Sequence, residues 1–348
     1  MGKDKDKRRG LKLVIQIPCY NEAEILGATL STLPRNLPGI DQVEWLVIDD
    51  GSMDETARVA EEAGADAVVR LQAHSGLAAA YSAGMRESLR RGADIVVNFD
   101  ADGQYKAEDI PRLIEPILKG RADMVIGDRQ VPTIEWFSPM KKRVHRLGCW
   151  MVRLAAGQRV PDPVSGFRAL SRWAAAATAL LNRHTHTVET LVQAGSFEIE
   201  IEHILIWTNP PARPSRLIKN VRSYVVRQVA TLTRAFAVCH PAATSSIVAV
   251  GTLPALVWLS HAALFDWLPR GGNFAGEIAV IPACVAAAGL VAVLALYREL
   301  ARMNQSLRAR VYQQRVEAFI TAGSPNAAAE AEKLAAEAEL DAAPSPEL

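Results

Sequence analysis

The chain has 348 residues, 49% hydrophobic and 22% charged, with 39 Lys plus Arg against 38 Asp plus Glu and a formal net charge of +1. That length suits two or three structural units rather than one, and the even charge excludes nucleic acid as the main partner, because phosphate binding leaves a basic domain. Cys19, Cys149, Cys239 and Cys284 lie far apart without C-x-x-C spacing, which excludes a disulfide framework and a structural zinc site and points to a reducing compartment.

Residues 1–10 are a basic tail without an apolar core, so the chain opens on no signal peptide, and Asp6 stands where a myristoylation signal needs Ser or Thr. Five apolar runs follow, at Leu13–Ile17, Val43–Ile48, Ala67–Leu71, Ile95–Phe99 and Met124–Ile126. Helix-like segments such as Leu77–Arg91 and Glu108–Lys119 separate them. This alternation predicts an α/β domain over 11–212, with a Rossmann-like, mostly parallel sheet and helices on both faces. Ligands collect at the carboxyl ends of such strands. Polar clusters sit at three of those ends: Pro18-Cys19-Tyr20-Asn21-Glu22, Asp49-Asp50-Gly51-Ser52 and Asp100-Ala101-Asp102-Gly103-Gln104. The first two can be turns with helix caps. Turn chemistry does not require both Asp100 and Asp102, and two carboxylates at a strand end suit a hard Mg²⁺ or Mn²⁺ ion.

Further along, His184 and His186 have no third ligand nearby and read as packing or hydrogen-bonding residues. Phe197–Glu202 alternates with period two, as a half-buried strand does. Trp150, Trp173 and Trp207 read as core or membrane-interface residues, and Gly76 and Gly84 as small positions that let a helix approach a nucleotide. Across 213–240, Leu217, Val221, Tyr224, Val225, Gln228, Leu232 and Phe236 recur at helical spacing among basic residues, the pattern of amphipathic interfacial helices. Ala242–Leu264 and Ile278–Tyr297 carry no charge, and the second matches the roughly 20 residues needed to cross a bilayer. They predict a two-helix transmembrane hairpin within 241–298. Arginines crowd both outer flanks, while the connecting loop holds only Arg270 against Asp266 and Glu277. The positive-inside rule then makes this a multi-pass cell-membrane protein with a cytoplasmic catalytic domain and both termini cytoplasmic. Gly and Ala faces of the paired helices offer a route to a homo-oligomer. Residues 299–348 predict a cytoplasmic helix and an Ala/Glu-rich tail.

The segments IPCYNE, DDGSMDET, NFDADGQY and DPVSGFRALSR, in this order, resemble the family 2 glycosyltransferases of GT-A fold, above all the dolichyl- or polyprenyl-phosphate sugar synthases. The resemblance covers about residues 11–235. It implies a GDP- or UDP-sugar donor, a divalent cation, a polyprenyl phosphate acceptor and inversion at the anomeric carbon. By the same resemblance Pro18, Tyr20, Asn21, Glu22, Asp50 and Asp100 line the donor nucleotide, and Asp100, Asp102 and Gln104 hold Mg²⁺ or Mn²⁺. Arg129, Lys141, Lys142, Arg143, Ser165 and Arg168 meet the acceptor phosphate. Asp102, Arg129, Arg168 and Asp162 carry the chemistry, Asp162 as an acceptor-side base or merely as a loop cap. A lipid monophosphate, with a second pKa near about 6, is already nucleophilic at neutral pH, so no strong base is required. A transferase for another membrane lipid and a processive polysaccharide synthase share the donor half, although Ala169-Leu-Ser-Arg-Trp173 lacks the leading residue of the synthase signature. A non-catalytic scaffold would not need the acidic pair.

Overall fold

The computed structural model describes residues 10–135, 137–178, 180, 185–210, 221–267 and 275–321. Residues 1–9, His184, the stretch 213–220, the loop 268–274 and the tail from 322 lie outside the described residues, and the expectations for them stand as read from sequence. The chain divides into two compact units, Thr233–Arg308 and the remainder.

In the larger unit all five apolar runs are strands: β1 (Lys12–Cys19), β2 (Gln42–Asp49), β3 (Ala67–Arg70), β4 (Ile95–Asn98) and β5 (Met124–Asp128). Two more complete the sheet, β6 (Arg168–Ser171) and β7 (Ile201–Leu205), in the order β3-β2-β1-β4-β6-β5-β7. Only β6 runs against its neighbours β4 and β5. The period-two segment is displaced from expectation. Phe197 closes a helix, Glu198 adopts a left-handed φ of 53°, and pairing begins at Ile201.

The side-chain alternation of a strand explains the two layers. Leu13, Ile15 and Ile17 enter a core with Leu26 and Leu30 of α1 (Ala23–Thr32) and Ile110, Leu113 and Ile114 of α4 (Ile110–Leu118). The opposite face of β1 and β2 meets α3 (Leu77–Arg90), the helix expected over Leu77–Arg91. The remaining helices of this unit include α2 (Thr56–Glu62), α5 (Pro139–Ala156), α6 (Arg172–Ala177) and α7 (Thr187–Ser196). Gly84 is the contact point of α3: a Cβ there would come within 2.3 Å of Gln16 Oε1 and 2.7 Å of Ile48 Cδ1. The glycine thus seats the helix on the sheet, not on a nucleotide. Gln16 is fully buried, and its Nε2 donates to Asn98 Oδ1 at 2.9 Å. Asn98 Nδ2 in turn donates to the carbonyl of Gly166 at 2.9 Å, so a polar ladder crosses β1 and β4 to the loop before β6.

After β7 come three helices, α8 (Val221–Cys239), α9 (Pro241–Trp267) and α10 (Ala275–Thr321). Two of their segments are long and apolar enough to cross a membrane, Pro241–Ser260 and Cys284–Arg315, each of mean hydropathy 1.7. α10 runs unbroken past the expected boundary at 298. Within Thr233–Arg308, Gly289 lies against Leu253, and Asn304 Nδ2 donates to the carbonyls of Val238 and Cys239. That side chain satisfies carbonyls left open at the end of α8.

Gly84→Ala should lower the melting midpoint, since overpacking costs about 1–3 kcal/mol and the better helix propensity of Ala returns about 1 kcal/mol at most. Gly148→Ala in α5, where a Cβ meets nothing within 4 Å, should raise it instead. Parallel thermal melts of the two variants check the pair.

Candidate active site

The strand ends converge as the clusters predict, and hydrogen bonds between turns fix them. After β1, Asn21 adopts a left-handed φ of 54°, and its N–H donates to Ser52 Oγ at 2.9 Å. Its Oδ1 accepts from the N–H of Met53. Glu22 and Ala23 N–H groups donate to Thr56 and Asp54, so the turn after β1 is stitched to the turn after β2. Asp54 and Thr56 therefore serve as links between turns. Pro18 is buried within β1 in register with Ile48 and does not line an open surface.

Asp50 is 2% exposed, and its carboxylate accepts from the N–H groups of Ser75 and Gly76 at 2.8 Å each and meets His74 Nδ1 at 2.9 Å. His74 stacks on Tyr20 at 3.8 Å between ring centroids. Gly51, at φ 70°, admits the backbone of Ala73 and His74, where a Cβ would approach to 2.6 Å. Asp50 thus shapes the wall that carries Tyr20 instead of offering free oxygens. His74 was not among the expected residues; it lies 24 positions beyond its partner and no local spacing marks it.

The acidic pair sits at the centre. Asp100 follows β4 by two residues, and Gly166 packs directly over its carboxylate: a Cβ on Gly166 would lie 2.9 Å from Oδ2 and 3.1 Å from Oδ1. Tyr105 OH accepts from the N–H of Gly166 at 3.1 Å and holds that backbone in place. Asp102 accepts from the backbone and side-chain amides of Gln104. Asn209, beyond β7, fastens the loop by hydrogen bonds to Gln104 O and Gly103 O. Among the described residues no Lys, Arg or His forms an ion pair with Asp100 or Asp102. Burial, followed by repulsion from Asp102, raises Asp100 to about 7. Among the described residues no group of three or more His, Cys, Asp or Glu side chains gathers as a metal cage. Two carboxylates and an amide are nonetheless a suitable donor set for a hard cation that takes its remaining ligands from phosphate and water.

Opposite this pair the structure builds a second charge cluster from three elements. Arg129, just past β5, grips Asp162 with Nε at 2.6 Å and Nη2 at 2.9 Å, and His145 Nε2 of α5 lies 3.1 Å from Asp162 Oδ1. Burial opposes ionisation of Asp162, but Arg129 and His145 outweigh it and hold the carboxyl well below the usual range. Asp162 is therefore spent as a counter-ion, and the base expected there is not available. Lys141 lies within the field of Arg129: burial, then that guanidinium, lowers its pKa. Lys141 and Arg143 are exposed and Lys142 half-buried in the first turns of α5.

Arg168 has another task than the phosphate contact expected of it. It is fully buried in β6, donating to the carbonyls of Ser165 and Pro163 at 2.9 Å and to Thr190 Oγ1 at 2.8 Å. Burial lowers it to about 10. Two of these bonds shape the Pro163–Gly166 loop that covers Asp100 and the third ties it to α7, so Arg168 positions the site from behind. Ser165 is buried too. His186 packs flat on Tyr81 at 4.0 Å, as a core residue.

The model of the family described as glycosyl transferase family 2 matches residues 14–176. Among relatives, an undecaprenyl-phosphate mannosyltransferase of Micrococcus luteus is 36% identical over 166 residues, 46% of this chain and 66% of its own. A polyprenol monophosphomannose synthase of Mycolicibacterium smegmatis is 35% identical over 168 residues, 46% of this chain and 62% of its own. An uncharacterized glycosyltransferase of Mycobacterium bovis is 33% identical over 191 residues, 54% of this chain and 80% of its own. The chain thus spans just under two thirds of the first two. Among solved structures, glucosyl-3-phosphoglycerate synthase from Mycobacterium tuberculosis, crystallised with Mn²⁺, UDP-glucose and phosphoglyceric acid, superposes with a TM-score of 0.52 at 22% identity, over 65% of this chain and 80% of that one. That likeness is one of fold.

Asp100 gives the metal-free protein a pH signature. Its folded pKa of about 7 lies above the ordinary 3.8, so the folded state binds its proton more tightly than the unfolded chain does. The contribution of Asp100 to stability is then greatest below about pH 4 and falls as pH rises to about 7. Asp100→Asn should melt several degrees higher than wild type above pH 7 in chelator, and the gap should close below pH 4. A gap independent of pH would contradict the geometry.

Proposed function

This chain belongs to glycosyl transferase family 2, and from that premise we propose that it transfers a sugar from a nucleotide-sugar to a polyprenyl phosphate at the cytoplasmic face of a membrane. The observation that carries the reading is the acidic pair Asp100 and Asp102, with Asp100 beneath the Gly166 backbone, in a chain with two helices long enough to cross a bilayer. The names of the M. luteus and M. smegmatis relatives support the acceptor class.

Asp100 and Asp102, with Gln104 beside them, would hold Mg²⁺ or Mn²⁺, which when bound neutralises the nucleoside diphosphate as it leaves. The wall of Tyr20, His74 and Asp50 receives the nucleoside. Tyr20 supplies a flat ring for stacking, and Asp50 keeps the His74 loop in place behind it. Lys141 and Arg129 face the phosphate of the acceptor, with Lys142 and Arg143 as outer charges that draw it in. Arg129 is held rigid by Asp162, which spares it the reorganisation a free arginine would undergo. The lipid phosphate is largely dianionic at neutral pH. Its oxygen attacks the anomeric carbon directly, the bond to the nucleoside diphosphate breaks on the opposite side, and the configuration inverts. No proton has to be removed, which agrees with Asp162 being committed to Arg129. The apolar segments of α9 and α10 keep this site at the surface where a long prenyl chain presents its head group, with both termini on the cytoplasmic side.

The test uses the full chain in detergent with Mn²⁺, polyprenyl phosphate and a panel of radiolabelled GDP- and UDP-sugars. One donor should yield a prenyl-linked product, and the absence of transfer from the whole panel would refute the reading. Lys141→Ala should raise the acceptor KM about tenfold, the worth of one charged hydrogen bond, and leave donor affinity unchanged. Calorimetric titration of the donor beside acceptor kinetics separates the two; lost donor affinity with an unchanged acceptor KM would reverse the assignment.

A further inference from the structure

α10 is longer than a membrane crossing requires. Its 47 residues extend over about 70 Å at a helical rise of about 1.5 Å per residue, whereas its uncharged stretch ends at Tyr297 and Arg298, Glu299 and Arg302 open a charged half. That half is not a free tail. The chain leaves the larger unit after Leu232 and re-enters it at Ala309, so the last described turns of α10 belong to the unit that carries the acidic pair. Val311 is 2% exposed there. One turn further, on the same helix face, the guanidinium of Arg315 lies 2.8 Å from the centre of the Trp173 ring.

Trp173 stands on a firm seat. Its helix, α6, follows β6 directly, Ser171 caps it by accepting from the N–H of Ala174, and Ala174 to Ala177 are buried. Arg172 Nη2 anchors the first turn by donating to the carbonyl of Gly92 at 2.7 Å and to Asp94 at 2.8 Å. β6 is the strand whose Arg168 shapes the loop over Asp100. The family match ends at residue 176, so it includes Trp173 and does not reach Arg315.

We propose that Arg315 on Trp173 is a clip that joins the catalytic domain to the apolar helices at a second point, and that both side chains are positioning residues for transfer to an acceptor held in a bilayer. The positioning role rests on the sugar-transfer reading above; the clip itself does not. The first attachment is α8, which passes out of the larger unit between Leu232 and Thr233. A domain joined through one helix tilts as that helix bends, and a domain joined through two is held in orientation. Direct displacement needs the acceptor phosphate in line with the bond that breaks, and such alignment is a large part of what positioning contributes to rate. A long lipid anchored in a bilayer cannot turn to meet a tilted site. A soluble acceptor can, so the clip matters to the first and not to the second. The contact is a cation over an aromatic face, which Lys reproduces in part and Ala does not.

The test places the full chain in lipid nanodiscs carrying a long-chain polyprenyl phosphate, with a short-chain, water-soluble prenyl phosphate as the second acceptor. Trypsin reports the clip without reference to turnover. Cleavage after Arg308 and Arg310 should be at least about threefold faster in Arg315→Ala than in wild type, because it follows the population of the released segment. Arg315→Lys should stay close to wild type. Transfer to the bilayer acceptor should fall about fivefold or more in Arg315→Ala, while donor affinity and transfer to the soluble acceptor stay within about twofold. Arg315→Lys should recover most of the loss, and Trp173→Leu should repeat it. Unchanged cleavage in Arg315→Ala would overturn the clip. Faster cleavage with unchanged transfer to the bilayer acceptor would overturn the positioning role, and so would an equal loss on both acceptors, which would mark a contact that supports the site itself. If wild type transferred to neither acceptor, the sugar-transfer reading would fail and the positioning role with it, while the cleavage rates would still decide the clip.

Discussion

Two carboxylates two residues apart at the end of a buried strand repel each other, and this repulsion organises the rest of the site. Asp100 is driven to about 7 by burial and by Asp102, while the cations nearest in space are committed elsewhere. Arg129 is bound to Asp162, and Arg168 to the carbonyls of the loop above. The loop pressing on Asp100 is fixed from three directions: Arg168 beneath, Tyr105 through the N–H of Gly166, and Asn98 through its carbonyl. Among the described residues no cation forms an ion pair with either carboxylate, which is what the cation site proposed here requires.

The Arg129–Asp162–His145 cluster solves the opposite problem. A buried ion pair contributes little net stability, but removing one partner strands the other at a cost of about 3–5 kcal/mol. Its value here is rigidity. The end of β5, the loop before β6 and the body of α5 meet at Asp162, so the exposed Lys141–Arg143 turn is placed relative to the acidic pair by side chains that cannot relax independently.

Much of this was legible in the sequence because strand ends in a parallel sheet are predictable from apolar period and length. The five runs, the three polar clusters and the two apolar helices all correspond to observed elements. What escaped was tertiary. β6 is short and starts with an arginine, so hydrophobic pattern does not mark it as a strand, and Arg168 looked like a phosphate contact until its burial assigned its donors to carbonyls. Asp162 resembled a base because sequence does not reveal that Arg129, 33 residues away, closes on it. The stacking of His74 on Tyr20 and the seat of Gly84 on Gln16 likewise join residues with no spacing to connect them.

The central claim is that the acidic pair under Gly166 is a cation site, and a titration of Mn²⁺ followed by the electron paramagnetic resonance of the free ion tests it without reference to turnover. The full chain should take up one ion in the presence of a nucleoside diphosphate. Asp102→Ala and Asp100→Asn should each weaken that uptake at least about tenfold, the scale of losing one preorganised charged contact. Gly166→Ala, whose methyl would displace the Asp100 carboxylate, should weaken it as well while leaving the α5 cations untouched. Unchanged uptake in all three variants would mean that the ion binds elsewhere, and that Asp100 and Asp102 are not its ligands.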